Sequence, residues 1–467
     1  MPLSSRTPVG TTEFVRLPDP DGLDSVEGIG ASRRCLLLFT GFVMQTHRAR
    51  RCALCLPIAA FALLLSAALP ATKSIAQSPS AFTSARVVTL RDEALADARA
   101  RIKARDAQLI PAYRQLLRDA DEALRAPLVA VTDKHTLLPP SGDKHDYYSL
   151  SPYWWPDPAK PNGLPYIRRD GQTNPESKRD LDQPRIAAMG ANVQTLALAY
   201  YLTGEARYAE RAARQIRTWF LDPATRMNPH LRFSQLVRGN NAERGSGIID
   251  TRWFIETVDA VGLIHGSASW TASDERALRD WFDQYLNWLL TSPNGRHEQA
   301  AKNNHGSWFA AQTAAYALFV GDTAKARAIV STAEARIGWQ IRPDGQQPIE
   351  LERTRSMHYS GFNVEALSRL AEIGHKVGVD LWNYRAPEGG SLIVAIDNLA
   401  RYLGTGQKWP GQQIDEVSLD LMLIHFRRAD YALPTPRYAP VLKRLPHDVV
   451  ARDRSALLYP DPAGPRE

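Results

Sequence analysis

The chain has three cysteines in 467 residues, Cys35, Cys52 and Cys55, and all of them precede Gln77. Everything beyond that point lacks a thiol, which excludes a disulfide framework and a cysteine-ligated metal site there. Lysine and arginine runs are missing from the body of the chain, as are the RNA- and DNA-binding signatures, so nucleic acid is not the expected partner. No His-Glu-x-x-His pair or Asp-rich calcium loop occurs, and neither a catalytic metal nor another cofactor is expected. Strand-like alternation is scarce, which argues against an all-β fold.

The sequence does have enough apolar residues, 44%, to bury at least one large core. It carries 57 basic and 50 acidic residues, of which eight and five lie in residues 1–76, leaving 49 against 45. An excess that small points to local charge placement, and a basic cleft within it would draw an anionic partner.

Met44 opens a basic stretch through Arg51, followed by an apolar run from Cys52 to Leu69 and a small-x-small site at Ser74-Ile75-Ala76. This pattern predicts a secretory signal over 44–76. The apolar run is as long as the shortest membrane spans, but Pro57 and the small residues favour cleavage over anchoring. The mature protein is then expected in the periplasm or the medium, without stable membrane association. Residues 1–43 precede the signal, show no clear period and are set outside the fold, which leaves 77–467 as a single catalytic domain.

Helical periodicity begins with Leu95, Ala98 and Ile102 and continues through Ile110, Tyr113, Leu116 and Leu117. Further helices are predicted near 184–203, 206–220, 251–266, 273–292, 306–319, 323–338, 362–377, 391–404 and 413–428. Short breaks such as Leu202-Thr203-Gly204-Glu205 and Val320-Gly321-Asp322 join neighbours in the manner of antiparallel helical hairpins. The expected architecture is all-α, a toroid or solenoid of helix pairs, with no strict repeat period. Leu137 to Asp180 resists helical reading, being rich in Pro, Gly, Asp and aromatics, and is expected to be a functional loop or a lid over a cleft.

Three segments carry chemistry. Asn303-Asn304-His305-Gly306-Ser307-Trp308 places two amides and an imidazole at a turn entering a helix, although asparagines there also serve as ordinary caps. Glu350 to Tyr359 holds Arg353, Arg355, His358 and Tyr359 within seven residues. On a regular helix Arg355 would share a face with Tyr359, an irregular segment would relax this, and a surface helix of Glu-Arg pairs is the plainer alternative. Tyr147, Tyr148, Tyr153, Trp154 and Trp155, with Arg168 and Arg169 downstream, suit a sugar ring bearing a carboxylate.

Together these segments resemble the alginate lyase family, whose members fold as incomplete toroids of paired helices. The resemblance extends over most of Ser84 to Arg428 and includes Asn228-Pro229-His230 and Gly247-Ile248-Ile249-Asp250-Thr251-Arg252. It implies an incomplete (α/α) toroid that cuts an acidic polyuronate such as alginate by β-elimination. Asn304, His305 and Tyr359 carry over as catalytic residues. The family arginine stands seven positions before the tyrosine, where this chain has Glu352, so Arg353 and Arg355 compete for the role. Arg353, following Glu-Leu-Glu, is the preferred candidate. Tyr153, Trp154, Trp155, Arg168, Asn303, Arg355 and His358 are the expected substrate-binding residues.

Elimination must neutralise the uronate carboxylate before the C5 hydrogen can leave, a task for Asn304 and Arg353 with His305. Tyr359 would protonate the leaving oxygen and would also serve as base when the C5 hydrogen lies on the same side, helped by a guanidinium that favours phenolate. His305 is the base for the opposite face. A toroidal glycoside hydrolase using Asp250, Glu350 or Glu352 is one rival. A non-catalytic binder of acidic polysaccharide is the other.

Overall fold

The computed structural model describes residues 87–461 apart from Asn241. The segments 1–43 and 44–76, and with them the three cysteines, lie outside the described residues.

The described chain is built from helices, and those that matter for the site come in pairs. The first are α1 (Asp92–Lys103), α2 (Ile110–Arg125), α3 (Asp182–Thr203) and α4 (Ala206–Phe220). Next come α5 (Trp253–Ile264), α6 (Ala272–Thr291), the short α7 (Pro293–Ala300), α8 (Asn304–Val320) and α9 (Thr323–Gln340). The remainder are α10 (Pro348–Leu351), α11 (Ser356–Val377), α12 (Leu392–Tyr402), α13 (Leu419–Ala432), α14 (Ala439–Leu442), α15 (His447–Arg452) and α16 (Ser455–Leu458). The inner helices α3, α5, α8, α11 and α13 touch in succession, and α16 and α2 bring the chain back to α3. Outside them, α4 packs on α3, α6 and α9 on α8, and α12 on α11. The result is an incomplete α/α toroid, as the sequence predicts.

Sequence decides which helices lie inside. In α8 the residues Ala310, Ala311, Ala314, Ala315 and Ala317 are all buried, so the helix is covered on every side and small side chains let its neighbours come close. The outer helix α4 buries one stripe, Tyr208, Ala212, Ile216, Trp219 and Phe220, and leaves the other face to solvent. Phe220, Phe254, Trp281, Phe282 and Tyr316 then lock α4, α5, α6 and α8 together through ring contacts at 4.8 to 6.0 Å. Each such ring contributes roughly 1.5–3 kcal/mol by leaving water, and edge-to-face geometry adds to that.

The segment from Leu137 to Asp180 contains short strands. Strand β1 (Tyr148–Leu150) pairs in parallel with β4 (Phe233–Leu236), and β2 (Trp154–Trp155) pairs with β3 (Ile167–Arg168) as a hairpin. Tyr147 is fully buried and donates to Asp250 at 3.0 Å, while the Tyr148 amide donates to Asp182 at 2.8 Å. Its root is therefore core, and the hairpin alone has the character expected of a loop. Pairs this short carry too little alternation to be seen as strands in sequence.

Two helix starts also differ from expectation. Helix α11 begins six residues early, at Ser356, so His358 and Tyr359 sit on its first turn. Helix α13 begins late because residues before it run alongside α11: the Ser356 amide donates to the Gln412 carbonyl at 2.9 Å, and Arg355 forms a bridge with Gln413.

Candidate active site

The beginnings of α5, α8 and α11 meet at one end of the inner ring. Trp308, on the first turn of α8, lies 5.0 Å from Phe362 of α11, and the Arg252 guanidinium, just before α5, lies 5.4 Å from the same ring. The first amides of α8 and α11 are capped by Glu350, Asn303, Gln412 and Gln413, and the positive dipole ends of these helices favour negative charge at this rim.

Asn304 is wholly buried at the start of α8. Its amide N–H and its Nδ2 donate to the two oxygens of Glu350, at 2.7 and 2.9 Å, and its Oδ1 has no partner. Burial raises the pKa of Glu350, opposed by those two donors and by the Arg353 and His305 charges. Asn303 caps α8, its side-chain oxygen accepting from the His305 amide at 3.1 Å. His305 places Nδ1 2.7 Å from Glu298, a carboxylate that is itself 1% exposed. A carboxylate there favours the proton on Nδ1 and makes Nε2 the basic nitrogen of the ring. Gly306 follows for steric reasons: a Cβ at that position would stand 2.1 Å from the Ala301 carbonyl, where α7 ends and α8 begins.

Arg353 and Arg355 separate clearly. The segment before α11 is irregular, and the Arg353 guanidinium lies 3.7 Å from the centre of the Tyr359 ring. It is also held by Asp170, with Nε and Nη2 at 3.0 and 2.6 Å from the same oxygen. Arg355 turns the other way, to Asp415 at 3.1 Å. Burial works against the Asp170 carboxylate, but Arg353, the Thr354 amide and Arg168 together bring its pKa down to about 2.

The Tyr359 hydroxyl lies 2.6 Å from the Tyr153 hydroxyl, which joins the aromatic segment to α11. Burial pushes the Tyr359 phenol far up, and the Arg353 cation only partly offsets this. The expectation that a neighbouring guanidinium would favour phenolate is thus half met: the guanidinium is there, yet the resting side chain is a neutral phenol. His358 stacks on Phe362 at 6.0 Å. Burial first, then Arg355, Arg252 and Arg353, lower its pKa to about 4.

Among the other expected binding residues, Arg168 reaches the cluster through Asp170 at 3.2 Å. Trp155 is occupied within its own segment, donating to the Gln172 carbonyl at 2.8 Å with Arg169 over its ring, and Trp154 lies under Arg244. Asp170, Glu298 and Glu350 as partners of the site were not legible in the sequence. Glu298 lies seven residues from His305 with no motif to join them, and Asp170 meets Arg353 only through the fold. Among the described residues no group of three or more His, Cys, Asp or Glu is placed to hold a metal ion, and no helix is long and apolar enough to cross a membrane.

The sequence profile of the alginate lyase family matches residues 130–409. The crystal structure of an alginate lyase from Bacteroides ovatus is 39% identical, with a TM-score of 0.75 over 80% of this chain and 98% of the other. Alginate lyase A1-III from Sphingomonas species A1 is 14% identical, with a TM-score of 0.48 over 75% of this chain and 96% of its own. No curated protein matches significantly. The family match over most of the folded chain, with the B. ovatus structure in support, places this protein in the alginate lyase family.

Proposed function

We propose that the protein cleaves a 4-linked acidic polyuronate, of which alginate and polymannuronate are the foremost candidates, by β-elimination at the Asn304, His305, Arg353 and Tyr359 cluster. The observation that carries this reading is the stack of the Arg353 guanidinium 3.7 Å over Tyr359 while the Tyr359 hydroxyl meets Tyr153. A cation and a neutral phenol side by side are the two groups that elimination needs, one for the substrate's negative charge and one for its leaving oxygen.

In this mechanism the carboxylate of the reacting uronate binds against Arg353 and Asn304, which stabilise the enolate-like charge as the C5 hydrogen leaves as a proton. The C5 electron pair forms the C4–C5 double bond, the C4–O bond breaks, and Tyr359 gives its proton to the departing oxygen. No water is consumed. Where the C5 hydrogen lies opposite the leaving group, His305, oriented by Glu298, takes the proton. Where both lie on one side, the Tyr359 oxygen takes the C5 proton as its own hydroxyl proton goes to the departing oxygen, so that the phenol ends as it began. The hydrolase rival loses support because Asp250 is tied to Tyr147, Ser149 and Gln235, and Glu350 is tied to Asn304.

The test is the ultraviolet absorbance of the unsaturated sugar end on a panel of polyuronates. Wild type should generate it on at least one polymer, and Tyr359→Phe should not. Reducing ends without that absorbance would overturn the proposal in favour of hydrolysis. We further propose export through the 44–76 segment, to the periplasm or medium. N-terminal sequencing of the processed protein should then begin near Gln77, and an intact Met44 in the mature protein would refute it.

A further inference from the structure

A cavity of about 860 Å³ lies inside the inner ring, walled by α2, α3, α5, α8, α11 and α13 and by the helices near the C-terminus. It begins at His358, beside Tyr359. Most of the acidic groups on its wall are already engaged: Glu256 with Arg369 at 2.6 Å, Glu365 with Arg428 at 2.8 Å, Asp119 with Arg454 at 2.9 Å, and Asp259 with Thr89. Arg252 differs from these pairs. Among the described residues its guanidinium makes one hydrogen bond, to the Ile249 carbonyl at 3.2 Å, and reaches no carboxylate. The nearby Asp250 is committed to Tyr147, Ser149 and Gln235. Arg252 is instead sandwiched by rings, 5.1 Å from Trp253 and 5.4 Å from Phe362.

A part-buried cation without a direct ion pair costs free energy, and burial presses its pKa down while the Asp250 and Glu256 charges act only through space in the opposite direction. Its guanidinium is therefore placed to take a ligand's charge. Trp253, Phe362 and Trp308 line the same wall around the guanidinium. Three rings about one cation form the apolar bed with a polar anchor that sugar rings require. Phe362 lies 5.4 Å from the guanidinium and 6.5 Å from the Tyr359 ring, so Arg252 stands within about 12 Å of the Tyr359 ring. Arg353 already stacks on the Tyr359 ring, 3.7 Å from its centre, so Arg252, reached across Phe362, is placed for the carboxylate of a neighbouring unit.

Building on the elimination reading, we propose that this cavity is a subsite for a neighbouring uronate, with Arg252 as the clamp on its carboxylate and Trp308, Phe362 and Trp253 as its faces. Arg252 would then select polymers charged on consecutive units, and its binding energy would act on affinity before chemistry.

The experiment uses calorimetry with a 4-linked mannuronate tetrasaccharide and its carboxyl-reduced, neutral counterpart, on Tyr359→Phe protein so that nothing is cleaved. Adding Arg252→Met should weaken tetrasaccharide binding about tenfold or more, the effect of one lost charge-assisted contact. It should leave the neutral counterpart unchanged, and Arg252→Lys should recover part of the loss. In the otherwise wild-type enzyme Arg252→Met should raise KM more than it lowers kcat. Equal tetrasaccharide affinity with and without Arg252, in variants with unchanged circular dichroism, would overturn the subsite. An Arg252-dependent affinity in a protein that forms no unsaturated ends would keep the subsite and remove the lyase reading, so the two fail separately.

Discussion

At the scale of single residues, carboxylates hold the side chains of the proposed site in place. Glu350 receives both donors of Asn304, so the orientation of that amide depends on a buried acid. Glu350→Gln replaces one acceptor by a donor and forces the amide to turn. The expected outcome is a fall in kcat of ~10²-fold or more, the usual effect of displacing one transition-state donor, with KM little changed in steady-state kinetics. Asp170 does the same for Arg353, and its effect depends on pH. Its folded pKa of about 2 lies below the ordinary 3.8, so the native state favours the ionised form. That stabilisation is complete above the unfolded value and disappears as pH falls from about 4 to about 2. The shift corresponds to at most about 2 kcal/mol, and solvent screening at this part-exposed site reduces it toward about 1 kcal/mol. Urea denaturation of Asp170→Asn should show a deficit against wild type at pH 6 that closes as the pH approaches 2. A pH-independent deficit would contradict this account.

At the scale of elements, the starts of α8 and α11 set the site, and they show why one was easier to foresee than the other. The Asn-Asn-His turn announces a helix start by residue type alone, and Asn303 is the cap that the plain reading of such a turn expects. Asn303→Ala should therefore cost about 1 kcal/mol of stability. It should also lower kcat, through a looser Asn304 and His305, more than it changes tetrasaccharide affinity; a pure loss of affinity would make Asn303 a substrate contact. The start of α11 has no such signal. Arg353 reaches Tyr359 because α10 and the turn after it break the helical spacing, and that break depends on Gln412, Gln413 and Asp170, all distant in sequence. Sequence could name two arginines as competitors but could not rank them by face, since the segment has no regular face. The β1 to β3 region is likewise legible in the sequence as aromatic, while its strands are not. Three-residue strands leave no period, and the pairing of β1 with β4 spans more than eighty residues.

At the scale of the whole molecule, the all-α toroid was legible because apolar residues recur with helical spacing and short breaks with glycine join the helices. The ring's hollow was not, since its wall draws on residues from Thr89 to Leu458. The same long-range closure brings the first and last described segments together. The Tyr459 hydroxyl donates to the Thr89 carbonyl at 3.2 Å, the Arg101 guanidinium to the Asp461 carbonyl at 2.8 Å, and α1 packs on α16. The order in which the helices are strung is therefore separable from the order in which they are packed. A circular permutant, with these neighbouring ends joined by a flexible linker and new ends opened at the exposed Gly321-Asp322 turn on the side of α8 away from the site, should fold and retain its turnover. In such a permutant the N-terminal and C-terminal segments that now meet only by packing would be continuous chain, and the break in the chain would move to the turn after α8.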